Sequence, residues 1–241
     1  MQEMGKPRVT PRAFFVTGTD TEIGKTLVSC TLLYAMVHQG WKSVGMKPVA
    51  AGAELQDGVW CNEDVMALKA VSNVQCNAEL DKLINPYLFK LPAAPHVAAL
   101  QEHSQIELDV IINSYQQLTQ HADAIVVEGV GGFRVPFNAT EDSADMAQQL
   151  NLPVVMVVGM RLGCINHALL TAEAIAARGL RLAGWVANCA QTEMAFLQEN
   201  LTAIRERLNV PYLGCIPYLE NPGAEQAFKY LELTNLFQDG Q

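Results

Sequence analysis

The sequence predicts an α/β fold in which a mostly parallel central sheet carries helices on both faces. Three observations support this. Short apolar runs alternate with helically spaced segments, the run at residues 153–158 is apolar without a break, and a glycine-containing loop at 18–26 joins the first run to the first helical segment. Strand and helix in alternation build parallel sheets with right-handed crossovers. A strand that is apolar at every position is covered on both faces.

The 241 residues are enough for a substantial core, and one domain over residues 1–241 is expected. With 50% hydrophobic and 17% charged residues the chain reads as globular, and no apolar run nears a membrane span. Such a span needs roughly 18 residues or more. Sixteen basic against twenty-five acidic residues leave a net charge of −9 without a basic patch, which argues against nucleic acid and membrane surfaces as partners. The basic cluster Lys6, Arg8 and Arg12 precedes an apolar run at 13–16 that is too short for a signal-peptide core, so a cytoplasmic location is expected. Cysteines 30, 61, 76, 164, 189 and 215 form no C-x-x-C pair and have no histidine at metal-site spacing; they read as buried, reduced thiols.

The elements follow in order. The apolar run 13–16 is the first strand, and Leu27, Val28, Cys30, Leu32, Leu33, Met36 and Val37 define a helix over 25–39 that Gly40 stops. Residues 43–49 read as a second strand, 51–62 as an exposed loop without periodicity, and 63–71 as a helix with Val65, Met66 and Leu68 as its apolar positions. Pro86, Pro92 and Pro95 make 85–98 extended or turn-like, a region expected to border a pocket. Ile106, Val110, Ile111, Tyr115 and Leu118 mark a helix ending by His121, and 124–128 is a short strand with Glu128 at its tip. Helices over 143–150, 165–178 and 193–208 then alternate with strands at 153–158, 182–188 and 210–216, and one more helix within 225–237 closes the chain.

The loop reads Gly18-Thr19-Asp20-Thr21-Glu22-Ile23-Gly24-Lys25-Thr26. It departs from G-x-x-x-x-G-K-[ST], since Thr19 stands where the first glycine belongs, yet strand, loop and helix arrive in the required order. Loops of this kind turn backbone N–H groups toward phosphate oxygens, set a lysine beside the β/γ-phosphates and offer a hydroxyl to Mg²⁺. Gly24, Lys25 and Thr26 fit those roles, which makes the chain a P-loop NTPase by fold.

Ligands bind open α/β sheets at the carboxyl ends of the strands. That rule gathers the loop, Lys47, Glu128, the 159–166 turn, Asn188 and Pro217 on one edge. Glu128 is placed to take Mg²⁺ opposite Thr26, the other reading being a solvated strand-end acid; Asp64 is a second metal candidate or a first-turn acid of a helix capped by Asn62. Lys47 either neutralises charge on a transferred phosphoryl group or is an exposed strand-end lysine. Thr21 and Glu22 sit where a hydroxyl and a carboxylate meet a second substrate. Asn188 reads a purine edge or caps a turn, and Cys189, Ala190 and Gln191 after it favour adenine over guanine. The five histidines have no ligand spacing and receive no catalytic role.

The loop, Lys47-Pro48-Val49, Asn85-Pro86-Tyr87, Val127-Glu128-Gly129, Gly163-Cys164-Ile165-Asn166-His167 and Gly184-Trp185-Val186-Ala187-Asn188 together resemble dethiobiotin synthetase, over nearly the whole chain. The resemblance implies an ATP-dependent ligase that converts 7,8-diaminopelargonic acid and CO₂ to dethiobiotin in biotin synthesis. A substrate amine is carbamylated, the carbamate attacks the γ-phosphate, and the second amine closes the ring on the mixed anhydride as phosphate leaves.

It further implies that Glu22, Ile23, Gly24, Lys25, Thr26, Leu27, Gly129 and Gly131 contact the nucleotide, with Asn188 and the backbone of Pro217, Tyr218 and Leu219 at the base. Thr26, Asp64 and Glu128 would hold Mg²⁺. Lys25, Lys47 and Thr21 would carry the chemistry, with Thr21, Lys47 and Ala51 at the substrate. A homodimer is implied, in which Gly163, Cys164, Ile165 and Asn166 of one copy meet the substrate of the other; a helix N-terminus there suits a carboxylate. Relatives commonly carry serine where this chain has Ala51, so a hydroxyl toward substrate is missing. Two other classes fit less well. A switch ATPase that dimerises on nucleotide places a second lysine where Asp20 stands, and a glutamine-using amide ligase needs a further domain.

Overall fold

The computed structural model describes residues 12–75, 77–190 and 194–238. Lys6, Arg8, Cys76, Gln191 and the expected helix start at Glu193 lie outside the described residues. In chain order the elements are β1 (Arg12–Gly18), α1 (Lys25–His38), β2 (Ser43–Met46), β3 (Val49–Ala50), β4 (Glu54–Gln56), β5 (Val59–Cys61), α2 (Glu63–Val71), α3 (Ala78–Ile84), β6 (Tyr87–Leu88), α4 (Pro95–Gln101) and α5 (Leu108–Leu118). They continue with β7 (Ala124–Glu128), α6 (Ser143–Leu150), β8 (Val154–Gly159), α7 (Cys164–Ala177), β9 (Leu182–Asn188), α8 (Leu197–Arg207), β10 (Tyr212–Ile216), α9 (Ala224–Phe228) and α10 (Thr234–Gln238).

The main sheet has the order β10-β9-β8-β1-β7-β2 and every pairing in it is parallel. Alternate residues of one strand serve opposite faces. Phe14 and Val16 of β1 face α1, where they join Val28, Leu32, Leu33 and Met36; Phe15 faces the other way, into a core with Val127, Met156, Trp185, Ile111 and Ala144. Because β1 lies in the middle of the sheet, its carboxyl end delivers the loop to the centre of one edge, beside the ends of β7 and β8.

Four expectations are corrected. Residues 43–49 are not one strand: β2 stops at Met46, Lys47 N donates to Ile84 O at 2.9 Å, and β3 pairs with β6. Pro48 brings no N–H, so the run cannot stay on the β7 ladder. Residues 51–62 hold an antiparallel hairpin, β4 with β5. Asp57 and Gly58 at its tip have φ of 50° and 81°, as a two-residue turn of the primed type requires. Within 85–98, Pro95 starts α4 at a position where a missing N–H costs nothing. The tail forms α9 and α10 as separate helices, because Glu232 N donates to Leu213 O at 2.8 Å and draws the chain between them onto β10.

A helix not foreseen, α3, starts at Asn77, whose side chain accepts from the N–H groups of Glu79 and Leu80. Cys30, Cys61, Cys164, Cys189 and Cys215 are free thiols; Cys30, Cys164 and Cys189 are buried, Cys61 and Cys215 only partly.

Candidate active site

The strand ends and the loop enclose a cavity of about 850 Å³ whose lining includes Thr21, Lys25, Thr26, Lys47, Asp64 and Gly131. Pro92 and Pro95 form part of its wall, so the proline-rich stretch does border a pocket. Each polar group arrives there for a local reason. Lys25 and Thr26 are the first residues of α1, behind Gly24. Gly24 has φ of 85°, and a Cβ on it would lie 2.1 Å from Asn188 Nδ2, so any side chain there is strained and must displace Asn188.

Asp64 is in the first turn of α2, capped by Asn62, whose side-chain Oδ1 accepts from Asp64 N and Val65 N. Asn62 Nδ2 donates to Ala51 O at 3.2 Å, tying the helix start to the cavity wall. The structure bears out Asn62 as the cap, and the Asp64 carboxylate turns toward the loop, where Thr26 Oγ1 meets it. Glu128 ends β7 and is 1% exposed, so it is no solvated strand-end acid.

These residues share one network. Thr26 Oγ1 lies 2.5 Å from Asp64 Oδ1 and 3.0 Å from Glu128 Oε1. The Lys47 ammonium donates to Glu128 Oε1 at 2.6 Å and to Gly129 O at 3.2 Å, and lies 2.8 Å from Asp64 Oδ2. Lys47 is 3% exposed, which removes the reading of an exposed strand-end lysine. Burial works against its charge, but the carboxylates of Glu128 and Asp64 outweigh burial and hold its pKa above the ordinary lysine value. Burial likewise works against the Asp64 carboxylate, and Lys47 and Thr26 reverse that and hold its pKa low.

Lys25 has a different balance. Its ammonium donates to Asp20 O at 2.9 Å, and burial followed by the charge of Lys47 lowers its pKa to about 8. A cation held on a carbonyl in this way is ready to exchange that weak acceptor for a phosphate. Asp20 in turn forms an ion pair with Arg161, in the turn between β8 and α7. Asp20 thus anchors the loop where a switch ATPase of this fold would carry a lysine. Arg161 was not foreseen; nothing in a turn sequence indicates that its arginine reaches back 141 residues.

Mg²⁺ prefers oxygen ligands and keeps several of its waters. The Thr26 hydroxyl and the Asp64 and Glu128 carboxylates are such a set, and the buried Glu128 Oε2 has no hydrogen-bond partner among the described residues. The donor set therefore fits a hard divalent cation.

The remaining expected residues fall in three places. Glu22 and Gly24 line the cavity, Ala51 forms part of its wall, and Gly129 supplies a carbonyl to Lys47. Ile23 and Leu27 pack beneath the loop against the α1 side of the sheet. Asn188 is buried and donates from Nδ2 to Ile23 O at 2.7 Å. Beyond the cavity lining lie Gly163, Cys164, Ile165 and Asn166 at the start of α7, and Pro217, Tyr218 and Leu219 after β10. Cys164 turns inward, its thiol 3.8 Å from Asn200 Oδ1, so only backbone and the flanking side chains face outward there.

Comparison with known proteins adds three findings. A family described as "AAA domain" matches residues 12–226. The chain is 52% identical over 223 residues to the ATP-dependent dethiobiotin synthetase BioD of Aromatoleum aromaticum, covering 92% of this chain and 98% of that one. It is 51% identical over 226 residues to the protein of that name from Janthinobacterium sp. (strain Marseille), covering 92% and 94%. Among solved structures it resembles the MinC:MinD cell division protein complex of Aquifex aeolicus, with a TM-score of 0.54 at 13% identity over 92% of this chain and 87% of that one. A ParA family ATPase from Chlorobium tepidum TLS has the same TM-score at 14% identity, over 91% of each chain. At such identity the structural likenesses speak for the P-loop NTPase fold alone.

Proposed function

Because the chain belongs to the dethiobiotin synthetases and to the AAA-domain family matched over residues 12–226, we propose that it closes the ureido ring of dethiobiotin from 7,8-diaminopelargonic acid, CO₂ and ATP. It is an ATP-dependent ligase of biotin synthesis. The observation that carries the mechanistic reading is the convergence of two buried lysines, Lys25 and Lys47, on one cavity with a hydroxyl and two carboxylates.

The reaction must bring an anionic carbamate to an anionic phosphate, so the site needs positive charge in a desolvated place. One amine adds to CO₂, releasing a proton and leaving a carbamate. A carbamate oxygen attacks the γ-phosphorus while the bond to ADP breaks, and Lys25 and Lys47 offset the charge there. The second amine then attacks the carbamate carbon and gives up a proton to solvent, and phosphate leaves with the oxygen that attacked it. Thr21, at the cavity rim beside Gly131, presents its hydroxyl to the carbamate. Thr26, Asp64 and Glu128 would hold Mg²⁺, which when bound would offset negative charge on the phosphates. Asn188, next to the loop backbone, reads adenine, and Pro217, Tyr218 and Leu219 border the base.

The active form we propose is a homodimer of single-domain chains, with the diamine between copies. Gly163, Cys164, Ile165 and Asn166 of one copy would receive the carboxylate tail of the substrate held in the other. Leu162, 95% exposed directly before this turn, supports an apolar contact across that boundary. With Ala51 in the cavity wall, the substrate meets a methyl group there and finds no hydroxyl. A cytoplasmic location accords with small soluble substrates; among the described residues no helix is long and apolar enough to cross a membrane.

The purified chain with ATP, Mg²⁺, bicarbonate and the diamine is expected to yield ADP, phosphate and dethiobiotin. Lys47→Ala should lower turnover at least ~100-fold, the scale for loss of one transition-state donor, with ATP affinity by calorimetry within a few-fold. Unchanged turnover would remove Lys47 from the chemistry.

A further inference from the structure

Lys47 stands in an arrangement that the reaction alone does not call for. Its ammonium bridges Asp64 Oδ2 and Glu128 Oε1, at 2.8 and 2.6 Å. These are the two carboxylates that fit a divalent cation. The Glu128 side chain is fully buried and that of Lys47 nearly so, so this is no loose surface pair.

A buried carboxylate without a counter-charge is strongly disfavoured, and two close carboxylates repel each other as well. The free protein therefore needs a cation between Asp64 and Glu128 before any ligand arrives. Lys47 supplies it from the chain. A divalent ion that takes the same oxygens cannot coexist with an ammonium at hydrogen-bond distance from both, because the like charges would share one desolvated space.

We infer that Lys47 is the resident cation of the free site and gives up Asp64 and Glu128 to the metal, moving to the phosphate only in the complete complex. This rests on the metal ligands assigned under the proposed function. Lys47 is among the residues that line the cavity, so the side chain borders the space a nucleotide phosphate would enter. The exchange needs a new anion for the displaced lysine, and the nucleotide's phosphates provide one. Metal and nucleotide must then favour each other's binding. Lys47 would reach the reacting phosphate only when the metal is also in place.

The test uses the full chain and Mn²⁺, with free Mn²⁺ followed by electron paramagnetic resonance. Without nucleotide, the wild type should bind Mn²⁺ weakly, and ADP should tighten that binding. Lys47→Gln removes the resident charge and should bind Mn²⁺ alone at least tenfold more tightly than the wild type. If Lys47→Gln binds Mn²⁺ no more tightly, the exchange is wrong while the metal assignment stands. If the ADP-loaded wild type takes up no Mn²⁺, or an Asp64→Asn variant takes it up equally well, the metal assignment and the exchange fall together. Should Lys47→Gln fail to fold, the wild type still decides. The lysine ammonium NMR signal absent from Lys47→Arg should move with Mg²⁺ plus a non-hydrolysable ATP analogue and stay in place with Mg²⁺ alone. A signal unmoved by the full combination overturns the inference.

Discussion

Asn188 Nδ2 donates a 2.7 Å hydrogen bond to the carbonyl of Ile23, so the end of β9 holds the phosphate loop by its backbone. The bond is buried, and removing it leaves the Ile23 carbonyl unpaired. An unsatisfied buried group costs about 1–3 kcal/mol. Asn188→Ala is therefore expected to lower stability by that order in chemical denaturation and to weaken ATP binding about tenfold, the equivalent of 1.4 kcal/mol. Full affinity in the variant would mean that the loop keeps its shape without β9 and that Asn188 does not read adenine.

Gly24 faces the same side chain. Gly24→Ala places a methyl group 2.1 Å from Asn188 Nδ2 at a residue with φ of 85°. Calorimetry should detect no ATP binding, while circular dichroism still reports a folded chain, because the clash lies at the loop and not in either core. Retained binding would show that Asn188 swings aside at little cost.

Arg161 and Asp20 are both partly exposed, and exposed ion pairs contribute only about 0–1 kcal/mol to stability. Their work is positional, since the Asp20 carbonyl is the acceptor of Lys25. Arg161→Ala should leave the melting temperature nearly unchanged and raise the KM for ATP several-fold, with little change in kcat. An equal fall in kcat would assign Arg161 to the reacting groups instead.

Much of this site is legible in the sequence because each residue follows an apolar strand or opens a helix, and such positions point to one edge of a parallel sheet. Lys25, Thr26, Lys47 and Glu128 are of this kind. The hairpin β4–β5 was hidden by its short, exposed strands, although Asp57-Gly58 marks its turn. The Asp20–Arg161 pair and the bridging position of Lys47 join residues far apart in sequence, and no local pattern encodes them. Pro48 marks the break after Met46, but the apolar residues on either side of it read as one continuous strand.

The α6 start gives a pH test away from the site. Asp145 Oδ2 accepts from Asp142 N at 2.8 Å and Arg178 pairs with the same carboxylate. Burial works against this charge, but the N–H and the guanidinium outweigh it and hold the carboxyl below its ordinary value of 3.8. A lowered folded-state value means stabilisation that is complete above the unfolded value and is lost as pH falls through the folded one. Asp145→Asn should cost about 1 kcal/mol at neutral pH. The difference from wild type should fade below about pH 4, where the unfolded carboxyl is protonated. A cost that stays constant down to pH 3 would point to shape and not charge.

In the proposed reaction a carbamate oxygen attacks the γ-phosphate within the cavity lined by Lys25 and Lys47. Single-turnover reaction with oxygen-18 bicarbonate, ATP, Mg²⁺ and the diamine, followed by mass spectrometry of the released phosphate, reads that step directly. One labelled oxygen is expected in each phosphate released with dethiobiotin. Phosphate without label, formed alongside the same product, would contradict it.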